Sequence, residues 1–146
     1  MIKLSFLLLF LTFFACQKQE PQAETKPFDN SAPGNAQVYI ITPKDGDVVD
    51  TTFTVKFGLK GMGVAPAGVM QEHTGHHHLL IDLDELPDLS KPLPANDNIR
   101  HFGGGQTETT LTLKPGKHTL QLLLGNYAHI PQDNPVMSDK ITIEVK

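Results

Sequence analysis

Phe53-Thr54-Val55-Lys56-Phe57-Gly58-Leu59-Lys60 alternates apolar with polar or small residues without a break. Successive side chains of an extended chain point to opposite faces. This run therefore buries Phe53, Val55, Phe57 and Leu59 and turns the others outward. The same period recurs on either side. Upstream, Val38 and Ile40 alternate with Tyr39 and Ile41, and Pro43-Lys44-Asp45-Gly46 marks a turn. Downstream, His77, Leu79, Ile81 and Leu83 alternate with His76, His78, Leu80 and Asp82. Glu108 to Leu113 reads as a strand burying Leu111 and Leu113. Lys114-Pro115-Gly116-Lys117 is a tight turn, and His118, Leu120, Leu122 and Leu124 share one face of the strand after it. Ile141, Ile143 and Val145 close the chain. Loops are expected over the Gly-rich residues 61–75, the Pro- and Asn-rich residues 84–106 and residues 125–137. No long helical period follows the first 15 residues. Short strands separated by turns predict an all-β, immunoglobulin-like β-sandwich of about seven strands over residues 36–146. The Cys–Trp–Cys core of antibody domains is missing, because the chain has one Cys and no Trp.

A length of 146 residues accommodates one such domain plus short appendages. The net charge of -4 and the lack of any basic cluster exclude a nucleic-acid partner. The lone Cys16 excludes an internal disulfide and a Cys-rich zinc module. Met1-Ile2-Lys3 followed by the apolar run Leu4 to Phe14 is too short to cross a bilayer and fits the apolar region of a signal peptide. Ala15-Cys16 looks like the end of a bacterial lipobox. Residues 1–15 are thus expected to be a lipoprotein signal peptide, and Cys16 to carry the lipid that holds the chain on the membrane. An ordinary signal peptide with an incidental cysteine is the alternative. Residues 16–35 are polar and Pro-punctuated, which predicts a flexible tether. Gln17 rather than Asp after the cysteine makes an outer-membrane lipoprotein facing the periplasm the default.

Seven histidines are the sharpest chemical feature: His73, His76, His77, His78, His101, His118 and His129. On a strand, His76 and His78 aim at one point, and neutral imidazole suits zinc, copper, nickel and iron. A third ligand has to come from elsewhere, and His101 or His129 is the expected source. His118 or Asp82 is the expected outer partner that orients a ligand through its free ring N–H. Copper or zinc would be held for transport, buffering or sensing. Met62, Met70 and Met137 lie in loops and offer soft sulfur to a monovalent copper. His77 shares the apolar face and reads as a core residue. The other reading of the remaining histidines is structural, with the loops binding an envelope protein or a glycan. No serine sits on a G-x-S-x-G elbow, so His101-Phe102-Gly103-Gly104-Gly105-Gln106 is a Gly-rich turn rather than an esterase oxyanion loop. A non-catalytic role is therefore expected.

Four stretches carry a family resemblance. They are Val55-Lys56-Phe57-Gly58-Leu59-Lys60-Gly61-Met62-Gly63-Val64-Ala65-Pro66-Ala67-Gly68, Gly75-His76-His77-His78-Leu79-Leu80-Ile81-Asp82, His101-Phe102-Gly103-Gly104-Gly105-Gln106-Thr107-Glu108 and Pro115-Gly116-Lys117-His118-Thr119-Leu120-Gln121-Leu122. Together the chain resembles the bacterial exported domain-of-unknown-function family DUF4399. The resemblance implies a small exported β domain, often on a lipoprotein, and no established activity. It makes the His76–His78 cluster, His101 and His118 part of the recognisable motifs, which fits a site or a shared structural need.

Overall fold

The computed structural model describes residues 26–146. Cys16, the signal peptide and the first part of the expected tether lie outside the described residues. Nine strands follow in order: β1 (Gln37–Thr42), β2 (Val48–Val49), β3 (Thr52–Lys60), β4 (Gly63–Val64), β5 (Thr74–Ile81), β6 (Ile99–His101), β7 (Glu108–Thr112), β8 (Gly116–Gly125) and β9 (Ile141–Val145). One sheet has the order β1-β3-β7. The other has the order β2-β9-β8-β5-β4, with β6 also pairing β5. The six longest strands thus divide first, second and fourth against third, fifth and sixth. That is how an immunoglobulin-like sandwich divides its strands, and the chain is an all-β sandwich.

The alternation read from the sequence sets the inner faces. Val38, Ile40, Val55, Phe57 and Leu111 from one sheet meet Leu79, Ile81, Leu120, Leu122, Leu124, Ile143 and Val145 from the other. The antiparallel register Ile81↔Leu120, Leu79↔Leu122 and His77↔Leu124 lines up the two central rows. Each fully buried leucine contributes on the order of 1.5–3 kcal/mol of transfer free energy. His77 is on this inner face, with its ring centroid 5.2 Å from that of Phe57.

The outer face of the second sheet departs from expectation. Residues 84–106 do not loop freely away. They bring Leu93 and Ile99 down onto Leu80 and Leu123, with Leu83 and Leu89 packed alongside. The three-residue strand β6 pairs with β5 along Leu80↔Ile99, Leu79↔Arg100 and His78↔His101. It is too short to show a period. As a result β5 is buried on both faces from Gly75 to Ile81. The strand also stops earlier than its apolar alternation suggests. Asp82 adopts a left-handed backbone (φ 50), which ends the extended run and swings Leu83 to the outer cluster.

Residues 28–34, expected as part of the tether, are held against the domain. Phe28 stacks edge-on against Tyr127 at 4.9 Å. Asn30 donates to the Pro131 carbonyl at 3.0 Å, and the Ala32 N–H donates to Asn134 at 2.8 Å. Ala32 itself joins the core. One aromatic contact, one buried alanine and several hydrogen bonds hold this arm, and together they make no hydropathy period.

Candidate metal centre

The outer face of β5 carries His76 and His78 two residues apart, both completely buried. Their cross-strand neighbours on β8 are Gly125 and Leu123. Gly125 is required there. A Cβ at that position would lie 2.8 Å from Cε1 of His78 and 3.3 Å from the His129 backbone. β6 sets His101 directly beside His78. His129 reaches in from the turn after β8. His101 and His129 border solvent and close the cluster from its open side.

One potential ligand nitrogen from each of His76, His78, His101 and His129 lies within 4.8 Å of the other three. Ring centroids are 4.9 Å apart for His76 and His78, 5.1 Å for His78 and His101, and 4.6 Å for His101 and His129. Nε2 of His76 and Nδ1 of His129 are 3.2 Å apart. A tetrahedral ion with metal–nitrogen bonds of about 2.0–2.1 Å spaces its ligand nitrogens about 3.3 Å apart. The His76–His129 pair already has that spacing, and the other two ligand nitrogens lie within 4.8 Å of it.

His129 is held by its turn. Its backbone is left-handed (φ 65), a region costly for a residue with a Cβ. Buried Asn126 organises that turn. Its Oδ1 accepts from the Ala128 N–H at 2.8 Å and the Ile130 N–H at 3.1 Å, and its carbonyl accepts from the His129 N–H at 2.9 Å. Its Nδ2 donates to Asn30 at 2.7 Å. Asn126 carried no signal in the sequence reading, because an amide that caps a turn has no periodicity. Asn126→Ala is expected to release His129 and weaken metal binding about tenfold, as loss of a supporting hydrogen-bond partner does. Competition with a chelator checks it, and unchanged affinity would show that the turn holds without its amide.

Three of the rings are electron-pair donors at neutral pH. Burial pushes the His76 imidazole down to about 4, and the nearby His101, His129 and His77 rings push the same way. Burial, then His76, His101 and His129, take His78 down to about 3. Burial followed by His129 lowers His101. At neutral pH His76, His78 and His101 therefore each keep one unprotonated nitrogen for a metal. Nδ1 of His76 and both ring nitrogens of His78 are buried without a hydrogen-bond partner. An unpaired buried polar group costs about 1–3 kcal/mol, and a bound ion removes part of that cost. His77, on the other face, has two partnerless nitrogens as well, and burial lowers it to about 4.

Of the expected site residues, His76, His78, His101 and His129 come together. His118 and Asp82 do not join them, which corrects the expectation that either orients a ligand. Nδ1 of His118 is 2.6 Å from the Asp82 carboxylate, and Nε2 is 2.9 Å from the Lys114 carbonyl. The Asp82 carboxylate also accepts from the Thr119 N–H at 2.8 Å. Asp82 is four residues beyond His78, about 13 Å along an extended chain. The pair therefore clamps the far end of β5 to β8. Burial alone would lower the His118 imidazole, but Asp82 and the Lys114 carbonyl together raise it. His73 is in a left-handed turn before β5 and is not part of the cluster.

These features define a β-sandwich domain whose outer face carries a four-imidazole cluster able to hold a metal ion. The chain belongs to the DUF4399 family, a domain of unknown function whose model matches residues 55–146. No curated protein matches it. The X-ray structure of the endo-beta-1,4-mannanase from Thermotoga petrophila is similar over 76% of this chain and 20% of its own, at 18% identity and a TM-score of 0.45.

Proposed function

We propose that this protein binds copper or zinc through His76, His78, His101 and His129, without catalysis, as an exported lipoprotein of the cell envelope. The observation that carries the metal reading is the convergence of four imidazoles, two of them fully buried, with three buried ring nitrogens that make no well-formed hydrogen bond. Four protein ligands fill a tetrahedral ion and leave no position for substrate, which favours buffering, transport or sensing over chemistry. The envelope assignment rests on the apolar run ending at Ala15-Cys16.

Calorimetric titration of the metal-free full chain with Zn²⁺ and Cu²⁺ tests the metal reading. One equivalent is expected to bind, and His76→Ala/His78→Ala is expected to lower the affinity at least about a hundredfold. Equal affinity in the double variant would sink the proposal. Absence of binding in the parent chain would favour a domain whose loops recognise an envelope protein or glycan.

A further inference from the structure

We infer that the ion for which this site is built is copper in its monovalent state. The inference rests on the metal reading above and adds the identity and charge of the cargo. Imidazole alone does not choose among copper, zinc and nickel. The surroundings of the four rings do.

The cluster contains only histidines. Among the described residues no Asp, Glu or Cys joins it, and its one side-chain hydrogen bond is internal, between His76 and His129. Four neutral ligands leave the full charge of the ion on the site. Two of those ligands have no exposed surface. The electrostatic cost of holding an ion away from water rises with the square of its charge, so a divalent ion costs about four times what a monovalent one does.

The outer ring nitrogens point the same way. A histidine that holds a divalent metal ordinarily donates its other N–H to a carboxylate, a carbonyl or water, and this makes the ligand more basic. Neither nitrogen of His78 makes a well-formed hydrogen bond. Whichever nitrogen binds the ion, the other makes no well-formed hydrogen bond, with only the His76 backbone near enough to favour its proton. His76 likewise has nothing on Nδ1. The acid expected as an outer partner does not help, because Asp82 is spent on His118 and Thr119. The site therefore supplies strong geometric convergence with little compensating negative charge. Cu⁺ is the ion that accepts four-coordinate nitrogen ligation while bringing a single charge.

Anaerobic competition on the full chain tests this, with Cu⁺ delivered from a bicinchoninate complex and Zn²⁺ as the rival. Cu⁺ is expected to displace Zn²⁺ with a preference of about tenfold or more. The midpoint potential of the bound Cu²⁺/Cu⁺ couple is expected above that of aqueous copper, because the site penalises the divalent form. His101→Asp puts one carboxylate at the solvent-facing edge and is expected to lower that potential. Displacement of Cu⁺ by Zn²⁺, a potential below the aqueous couple, or a His101→Asp potential equal to the parent's would each overturn the inference while leaving metal binding intact. Failure of Zn²⁺, Cu²⁺ and Cu⁺ all to bind would overturn it together with the metal reading beneath it.

Discussion

His78→Leu is expected to abolish tight metal binding and, in a chelator, to make the protein more stable by about 1–3 kcal/mol. The two effects have one cause. His78 is completely buried, and neither ring nitrogen has a partner in the protein. In the metal-free state the imidazole is therefore a buried polar group without compensation. Leucine has similar bulk and no polar atom, and Leu123 and Leu80 nearby already form an apolar surface on that face. With metal present the order reverses. The parent chain gains about 4 kcal/mol when free metal is a thousandfold above its dissociation constant, and the variant gains none. Urea unfolding with and without metal reads both. A variant that loses stability in chelator would mean that the ring is scaffold, with a hydrogen bond to lose.

Acid is expected to destabilise the metal-free domain steeply below about pH 6.5. In the folded chain His76 and His77 sit at about 4 and His78 at about 3, against an ordinary value of 6.5. As pH falls through 6.5, the unfolded chain takes up protons at these positions and the folded chain does not. Stability thus falls with pH until the folded-state values are passed. Each group contributes about 2 kcal/mol to the loss by about pH 5, or on the order of 6 kcal/mol for the three together. That is comparable to the whole stability of many small domains. His118 opposes the trend, since its folded value is raised and its contribution is present at low pH and lost above it. It is one partly exposed ring against three buried ones. Urea midpoints in chelator at about pH 7 and about pH 5 decide the matter, and equal midpoints would show that the three rings are reached by water and titrate freely. Bound metal is expected to move the loss to lower pH, because an occupied nitrogen cannot take a proton.

The inner core was legible because burial on one face imposes period two. Phe53 to Leu59, Leu111 and the row Leu120, Leu122 and Leu124 all declared themselves that way. The outer core was not. Leu80, Leu93, Ile99 and Leu123 meet only after a long segment folds back, and Leu93 and Ile99 are isolated apolar residues in a polar stretch. Yet this covering is what encloses His76 and His78 and brings His101 beside them. The spacing of His76 and His78 pointed to a shared focus because strand geometry is local. Nominating His101 and His129 relied on residue type, and their convergence depends on β6 pairing and on the Asn126 turn. Asp82 misled because a shared strand face says nothing of distance along the strand, and His118 because its residue type suggested a site although it lies on the row of Leu120 and Leu122, not on the face of His76 and His78. Residues 28–34 misled because hydrogen bonds to residues 131–134 hold them, and no hydropathy pattern records a hydrogen bond.

The central claim is that His76, His78, His101 and His129 hold one ion. Anomalous diffraction from crystals of the metal-loaded protein tests it most directly. A single anomalous peak is expected about 2.0–2.1 Å from one nitrogen of each of the four rings. A peak held by other residues, or a metal shared by the exposed histidines alone with His76 and His78 unmoved, would contradict it.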